Sequence, residues 1–242
     1  LKVVTRYPQR IPSLDSQIML FDYSSGANVA LLDGNFITTM RTGAVASHAI
    51  KLFAKTDFES IGFIGLGNQA RATIKILLRL FKGKPLKINL YQYKDQHIIF
   101  EQFVRDLPDT ELIDIEVIQT YHELIETSDV IVSSVTYFKE DICEDKYFKK
   151  GCLVVPIHTR GFMNCDKFFD KVFADDTEHV KGFKYFNDFR LFAEVSDVLQ
   201  GRAMGRENNQ ERILAYNIGL SIHDIYFAKQ IYQMIVDLEL GT

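Results

Sequence analysis

The stretch from Ser60 to Phe81, SIGFIGLGNQARATIKILLRLF, places an uncharged run, a glycine turn and an amphipathic segment in direct succession. Ser60–Ile64 shows no polar alternation and reads as a strand buried on both faces. Gln69–Phe81 puts Ile74, Leu77, Leu78 and Phe81 on one side of a helix. Between them, Gly65 allows a tight turn, Gly67 lets an anion approach the backbone, and Ala70 lets the helix pack close to the strand. This is the Gly-x-Gly-x-x-Ala form of a dinucleotide fingerprint. The helix start adds free N–H groups and the positive end of its dipole. Asn68 and Gln69, which open that helix, are therefore candidate phosphate neighbours together with Gly65 and Gly67. The competing reading is a purely structural strand-to-helix turn, and the glycines alone do not separate the two.

The chain around this unit repeats its alternation. Apolar runs at Leu86–Gln92, Asp114–Ile118, Val130–Ser133, Cys152–Ile157 and Lys171–Ala174 predict strands. Helical patterns lie between them at Gln96–Asp106, Tyr121–Ile125 and about Glu144–Lys149. Such an order predicts an α/β domain, a doubly wound parallel sheet covered by helices on both faces. Before it come β-like segments at Lys2–Tyr7, Gln17–Tyr23 and Asn28–Leu32, the last two joined by the hairpin turn Ser-Ser-Gly-Ala. A helix follows, whose Gly43, Ala44, Ala46, Ser47 and Ala49 permit close packing. Beyond Asp176 the pattern is helical, broken at Gly201–Gly205 and then long enough to return onto the first β segments. The expected organisation is residues 60–176 as one domain, with 1–59 and 177–242 forming a second, α+β domain from both chain ends.

Composition narrows the function. A net charge of −4 over 242 residues, with no long basic run, argues against a nucleic-acid surface. No apolar run has the length of a membrane span, and Leu1–Pro12 lacks the apolar core of a secretory signal. Cys143, Cys152 and Cys165 are odd in number and without Cys-x-x-Cys spacing, which favours reduced thiols in a cytoplasmic protein and no metal. In NAD-type sites the second strand of the nucleotide domain ends in an acid that takes the ribose hydroxyls. Here that position is Gln92, followed by Lys94. An absent acid beside a cation tilts the expectation from NAD towards NADP, whose extra phosphate repels a carboxylate.

At LLDGNFITTMRTGAVASHAIKLFAK, followed by IGFIGLGNQARATI, the chain resembles the ornithine cyclodeaminase/mu-crystallin family. LKVVTRYP resembles that family's lysine-bearing strand, and GRENNQERILAYNIGLSIHDIYFA its C-terminal Gly-Arg and Gly-x-x-x-x-Asp segment. The resemblance spans nearly the whole chain. It implies a Rossmann-type nucleotide domain, a substrate and dimerisation domain, a homodimer and a nicotinamide cofactor. Members carry a further segment upstream, so the resemblance implies that Leu1 is not the natural start. Residue by residue, it implies that Lys2 and Arg41 hold a substrate carboxylate, a task that suits paired cations. It places Thr42 near the cofactor phosphates, and Ser133, Ser134, Val135 and Thr136 along the nicotinamide side.

The family's chemistry centres on the Cα–N bond of a small amino or imino acid. Cyclodeaminases carry an aspartate after the strand that here ends PI. This chain has HTRGFMNCD, with Thr159–Arg160 at the expected place. Arginine cannot serve as a general base, whereas His158, at the carboxyl end of a strand, can. Its alternative is an ordinary hydrogen-bonded loop residue, and His223 reads as packing. The leading expectation is an NAD(P)-dependent oxidoreductase acting on an amino or imino acid. The alternatives are an ornithine cyclodeaminase, which forms proline and ammonia, and a non-catalytic NAD(P)H-dependent ligand binder.

Overall fold

A computed structural model describes residues 1–7, 9–10, 14–135, 138, 140–157 and 166–240. The chain divides into two compact units, Leu1–Arg41 with Gly219–Thr242, and Thr42–Ile218.

The larger unit is built on an eight-stranded sheet. Its strands are β4 (Ser60–Ile64), β5 (Leu86–Tyr91), β6 (Ile113–Ile118), β7 (Val130–Ser133), β8 (Leu153–Pro156), β9 (Lys171–Ala174), β10 (Phe192–Glu194) and β11 (Ile213–Tyr216). Their order is β10-β9-β11-β8-β7-β4-β5-β6, and every pairing is parallel. Alternate residues of the central strands supply two separate cores. Ile61, Phe63, Val130, Val132, Leu153 and Val155 enter one, while Ile64, Ile131, Val154 and Leu214 enter the other. Both faces are covered, which is why these strands read as continuous apolar runs. α2 (Asn68–Leu80) and α3 (Gln96–Arg105) complete the first core through Ala70, Ile74, Leu77, Phe100 and Val104. α4 (Tyr121–Thr127) covers the second through Leu124 and Ile125.

α1 (Gly34–Phe53) contributes Ala46, Ala49, Ile50 and Phe53 to the first core. The expected close packing of its small residues is present at Gly43, where an added Cβ would lie 2.7 Å from the α2 residue Ala72. The smaller unit has a three-stranded antiparallel sheet of β1 (Lys2–Arg6), β2 (Leu14–Phe21) and β3 (Asn28–Asp33), ordered β1-β2-β3. Gly26, with φ of 71°, makes the β2–β3 turn. α7 (Ser221–Leu240) returns onto this sheet, and Ala228 packs with Ile18 and Ile37.

Three expectations need correction. The region about Glu144–Lys149 forms only a 3-10 turn, Asp145–Tyr147, anchored by buried Phe148. The region read as helical after Asp176 contains β10 and β11, as well as the short helices α5 (Thr177–Val180) and α6 (Val195–Leu199). The run Ile-Leu-Ala-Tyr of β11 is fully buried, and a short apolar run carries no period to tell strand from helix. β11 lies between β8 and β9, so residues up to Ile218 belong to the larger unit instead of ending it near Asp176. Likewise the second half of α1 sits in the larger unit, because its apolar face is spent on the first core.

Candidate functional site

The sheet order reverses at β4: the chain runs outward through β5 and β6, then returns to β7 on the opposite side. Open α/β sheets bind ligands beside such a reversal, at the carboxyl ends of the strands. Gly65 stands there with φ of 85°, a conformation that suits glycine, and an added Cβ would meet Ser134 Oγ at 2.9 Å. Ser134 donates its hydroxyl to the Gly65 carbonyl at 2.8 Å and its N–H to Ile64 at 2.8 Å, tying the loop after β7 to the glycine turn. Ser133, fully buried, ends β7 opposite Ile64 and Pro156, and its Oγ finds no partner among the described residues. Val135 packs partly against the second core.

The helix start has the properties of an anion site. Gly67 caps α2 without a side-chain hydrogen bond, no acidic residue lies in the first turn, and an added Gly67 Cβ would meet nothing within 4 Å. The contrast with two other helices is informative. α4 is capped by the Thr120 hydroxyl and α5 by the Asp176 carboxylate, each with a glutamate in its first turn. There the dipole and the N–H groups are satisfied from within. At α2, Asn68 and Gln69 open the helix uncapped, and the buried Gln69 Oε1 has no partner among the described residues. The turn therefore fits a pyrophosphate by its own chemistry. Gln92 follows β5, donating its N–H to Ile118, and Lys94 is held at φ of 49° with its ammonium 5.3 Å from the Tyr93 ring centre. Tyr121, stacked on Tyr91 at 4.1 Å, is pushed up to about 12 by burial and by its tyrosine neighbours, so it is a neutral aromatic surface at ordinary pH.

The smaller unit holds a second cluster. Lys2 Nζ donates to Asp224 Oδ1 at 3.0 Å, and Arg41 Nε donates to the same oxygen at 3.2 Å. Asp224 is 5% exposed and Arg41 8% exposed. The buried Nη1 of Arg41 has no partner among the described residues. Two cations against one carboxylate leave an uncompensated buried donor, an arrangement that costs free energy unless an anion or ordered water meets it. Of the residues singled out from sequence, Lys2 and Arg41 come together here. Thr42, the next residue of α1, is buried. Gly65, Gly67, Asn68, Gln69, Ser133 and Ser134 gather around the sheet reversal. Thr136 and His158 lie outside the described residues, as do Thr159, Arg160 and Cys165. Burial pushes the Cys143 and Cys152 thiols up to about 12, so neither is a nucleophile at neutral pH.

Asp224 was not singled out as a site residue. Its signal was the spacing Gly-x-x-x-x-Asp, but only the fold brings it to residues 2 and 41.

The profile of the ornithine cyclodeaminase/mu-crystallin family matches residues 1–239. The chain belongs to that family. A Δ1-pyrroline-2-carboxylate reductase from Bacillus thuringiensis subsp. konkukian is 27% identical over 100% of this chain and 79% of its own. The nodulation efficiency protein NfeD of Rhizobium meliloti is 26% identical over 96% of this chain and 73% of its own. Among solved structures, the Thermococcus litoralis Δ1-pyrroline-2-carboxylate reductase, in complex with NADH and L-proline, superposes with a TM-score of 0.83. It is 26% identical and covers 98% of this chain and 78% of the reductase chain.

Proposed function

We propose that this member of the family reduces a small imino acid, or oxidises the corresponding amino acid, at its Cα–N bond. The chain is an NAD(P)-dependent oxidoreductase, and its cofactor is a nicotinamide dinucleotide. The observation that carries the substrate reading is the Lys2–Arg41 pair on one oxygen of Asp224, with Arg41 Nη1 buried and unpaired among the described residues. A ligand carboxylate answers that donor. The named relatives, two of them reductases of a cyclic imino acid, support the same class.

A bound nicotinamide would supply the hydride, or accept it, at the substrate Cα. Arg41 and Lys2 would hold the carboxylate, the uncapped start of α2 would hold the pyrophosphate, and Gly65 and Ser134 shape the glycine turn before that helix. His158, or a water, is assigned the proton on the substrate nitrogen. Thr42 and the Ser133–Thr136 segment are assigned to the cofactor, by the family resemblance. Gln92 and Lys94 favour NADP through the absent acid and the added cation.

The assembly we propose is a homodimer formed through the smaller unit. Val3, Val4 and Leu31 on its sheet and Ile222, Ile225, Tyr226 and Met234 on α7 are exposed, more apolar surface than one small unit leaves in water. No helix among the described residues is long and apolar enough to cross a membrane.

The test is an absorbance assay with Δ1-pyrroline-2-carboxylate and with NADH or NADPH in turn. Net nucleotide oxidation, faster with NADPH, is the expected result. Proline and ammonia from ornithine without net nucleotide change would establish the lyase in its place. Nucleotide binding without turnover of amino or imino acids would establish a binder.

A further inference from the structure

Three tyrosines converge at the carboxyl ends of β5 and β6. Tyr91 closes β5, Tyr93 follows it by two residues, and Tyr121 opens α4 shortly after β6. The Tyr91 and Tyr121 rings are stacked, with 4.1 Å between centres and 25° between planes. Phe138, itself buried, meets the Tyr121 ring at 5.9 Å and 86°. Both tyrosines of the stack are half-buried against the second core. Tyr93 is 51% exposed, near enough for its hydroxyl to help raise the pKa of Tyr121, and Lys94 Nζ lies 5.3 Å from its ring centre. Sheet order decides which part of a dinucleotide reaches these rings. β4, which leads into the glycine turn, has β5 and then β6 on one side and β7 and then β8 on the other. A pyrophosphate at the start of α2 sends its two nucleosides in opposite directions across the strand ends. Strands about 4.8 Å apart put the end of β6 roughly 10 Å from that of β4, within the reach of a nucleoside. With the nicotinamide assigned to the β7 side, the adenosine goes over β5 and β6.

We infer that Tyr91, Tyr93 and Tyr121 form the adenine subsite, with the Tyr91–Tyr121 stack as a fixed wall and Tyr93 as a ring that packs on the bound base. Stacking on aromatic rings holds a purine by its face and needs no hydrogen bond at its edge. The packing of Tyr91, Tyr121 and Phe138 on one another keeps the wall in place before the base arrives, so little ordering is left to the binding step. Tyr93 lies between Gln92 and Lys94, so one short loop meets both the adenine and its ribose. The inference rests on the dinucleotide-binding reading above and adds to it the groups that hold the base.

The experiment titrates the full chain with NADH, NADPH and ADP-ribose, the last of which keeps the adenine and the pyrophosphate and lacks the nicotinamide. Tyr93→Ala is expected to weaken all three about tenfold, because each loses the same stacking contact. Tyr93→Phe keeps the ring and is expected to bind them within about twofold of wild type. In the wild type, the adenine H2 and H8 proton resonances of ADP-ribose move upfield on binding, by ring currents, and the shift shrinks in Tyr93→Ala. Tyr121→Leu leaves an apolar side chain on the core but breaks the wall, and it is expected to weaken the same three ligands about fivefold. If Tyr121→Leu does not fold, Tyr93→Ala alone decides. Wild-type NADH affinity in Tyr93→Ala overturns the inference, also where NADPH alone is weakened, since Tyr93 then only supports Lys94. An equal loss in Tyr93→Phe overturns it as well, because the hydroxyl and not the ring is then the contact. Each of these results leaves the oxidoreductase reading in place. Wild-type protein that binds none of the three ligands overturns both.

Discussion

Single residues in this protein are set by what the backbone or a buried charge demands. Gly65 combines a φ of 85° with a neighbour that would sit 2.9 Å from a Cβ. Gly65→Ala is expected to weaken NADH binding at least about tenfold, read from the fluorescence of bound nucleotide, with carboxylate binding little changed. Asp129 shows the opposite device. It lies at the amino end of β7, where it accepts from the Glu59 N–H at 2.8 Å and pairs with Lys149 at 2.8 Å and Lys55 at 3.1 Å. Burial alone would raise its pKa, but these donors outweigh burial and lower it to about 2. A carboxylate depressed in the folded state adds stability above its unfolded pKa, and that stability is lost as pH falls through the folded value. The acid limb of wild-type stability between about pH 4 and pH 2 therefore carries this pair. Asp129→Asn is expected to cost roughly 2 kcal/mol at neutral pH and to flatten that limb, as measured by urea unfolding at stepped pH.

At the scale of elements, the segment from Gly205 to Arg212 shows how an irregular stretch becomes a rigid one. Arg206 sits half-buried among carbonyls, donating to Phe53 at 2.6 Å, Glu211 at 2.7 Å, Asn208 and Gly151 at 3.1 Å and Cys152 at 3.5 Å. It thereby ties the end of α1 and the entry to β8 to the entry to β11. Lys171, at the start of β9, is only 5% exposed and pairs with Glu211 at 2.9 Å and with Glu207. The Gly-Arg of the family segment is thus a structural hub at the amino ends of the strands, away from the sheet reversal. Arg206→Ala leaves several carbonyls unsatisfied and is expected to cost about 3 kcal/mol in chemical unfolding, with the nucleotide affinity of the remaining folded protein unchanged. This element was hard to read in sequence because its order comes from one arginine and not from a period. The same holds for β11, whose four residues are legible as buried but not as a strand.

At the scale of the whole molecule, the exposed apolar face of α7 gives the prediction about assembly. Ile222 and Ile225, one turn apart, stand on it at 64% and 55% exposure. Replacing both by glutamate is expected to shift the protein from dimer to monomer in sedimentation, without loss of helix content, because both side chains are more exposed than buried. A wild-type monomer at micromolar concentration would sink the dimer proposal. The alternation of apolar runs and amphipathic segments determined the doubly wound parallel sheet, because burial on both faces leaves no other pattern for its strands. The glycine spacing at Gly65 and Gly67 determined the strand-to-helix turn, because local backbone conformation is a local property of sequence. Lys2 and Arg41 were legible through resemblance, each as a single residue. Tertiary structure alone decided that they meet on Asp224, since residues 2, 41 and 224 converge only when α7 packs back on the first sheet. It alone decided, too, that Gly219 leaves the space that the Arg41 guanidinium fills. Charge balance and excluded volume are properties of places, and a sequence records neighbours along the chain but not the company that folding brings.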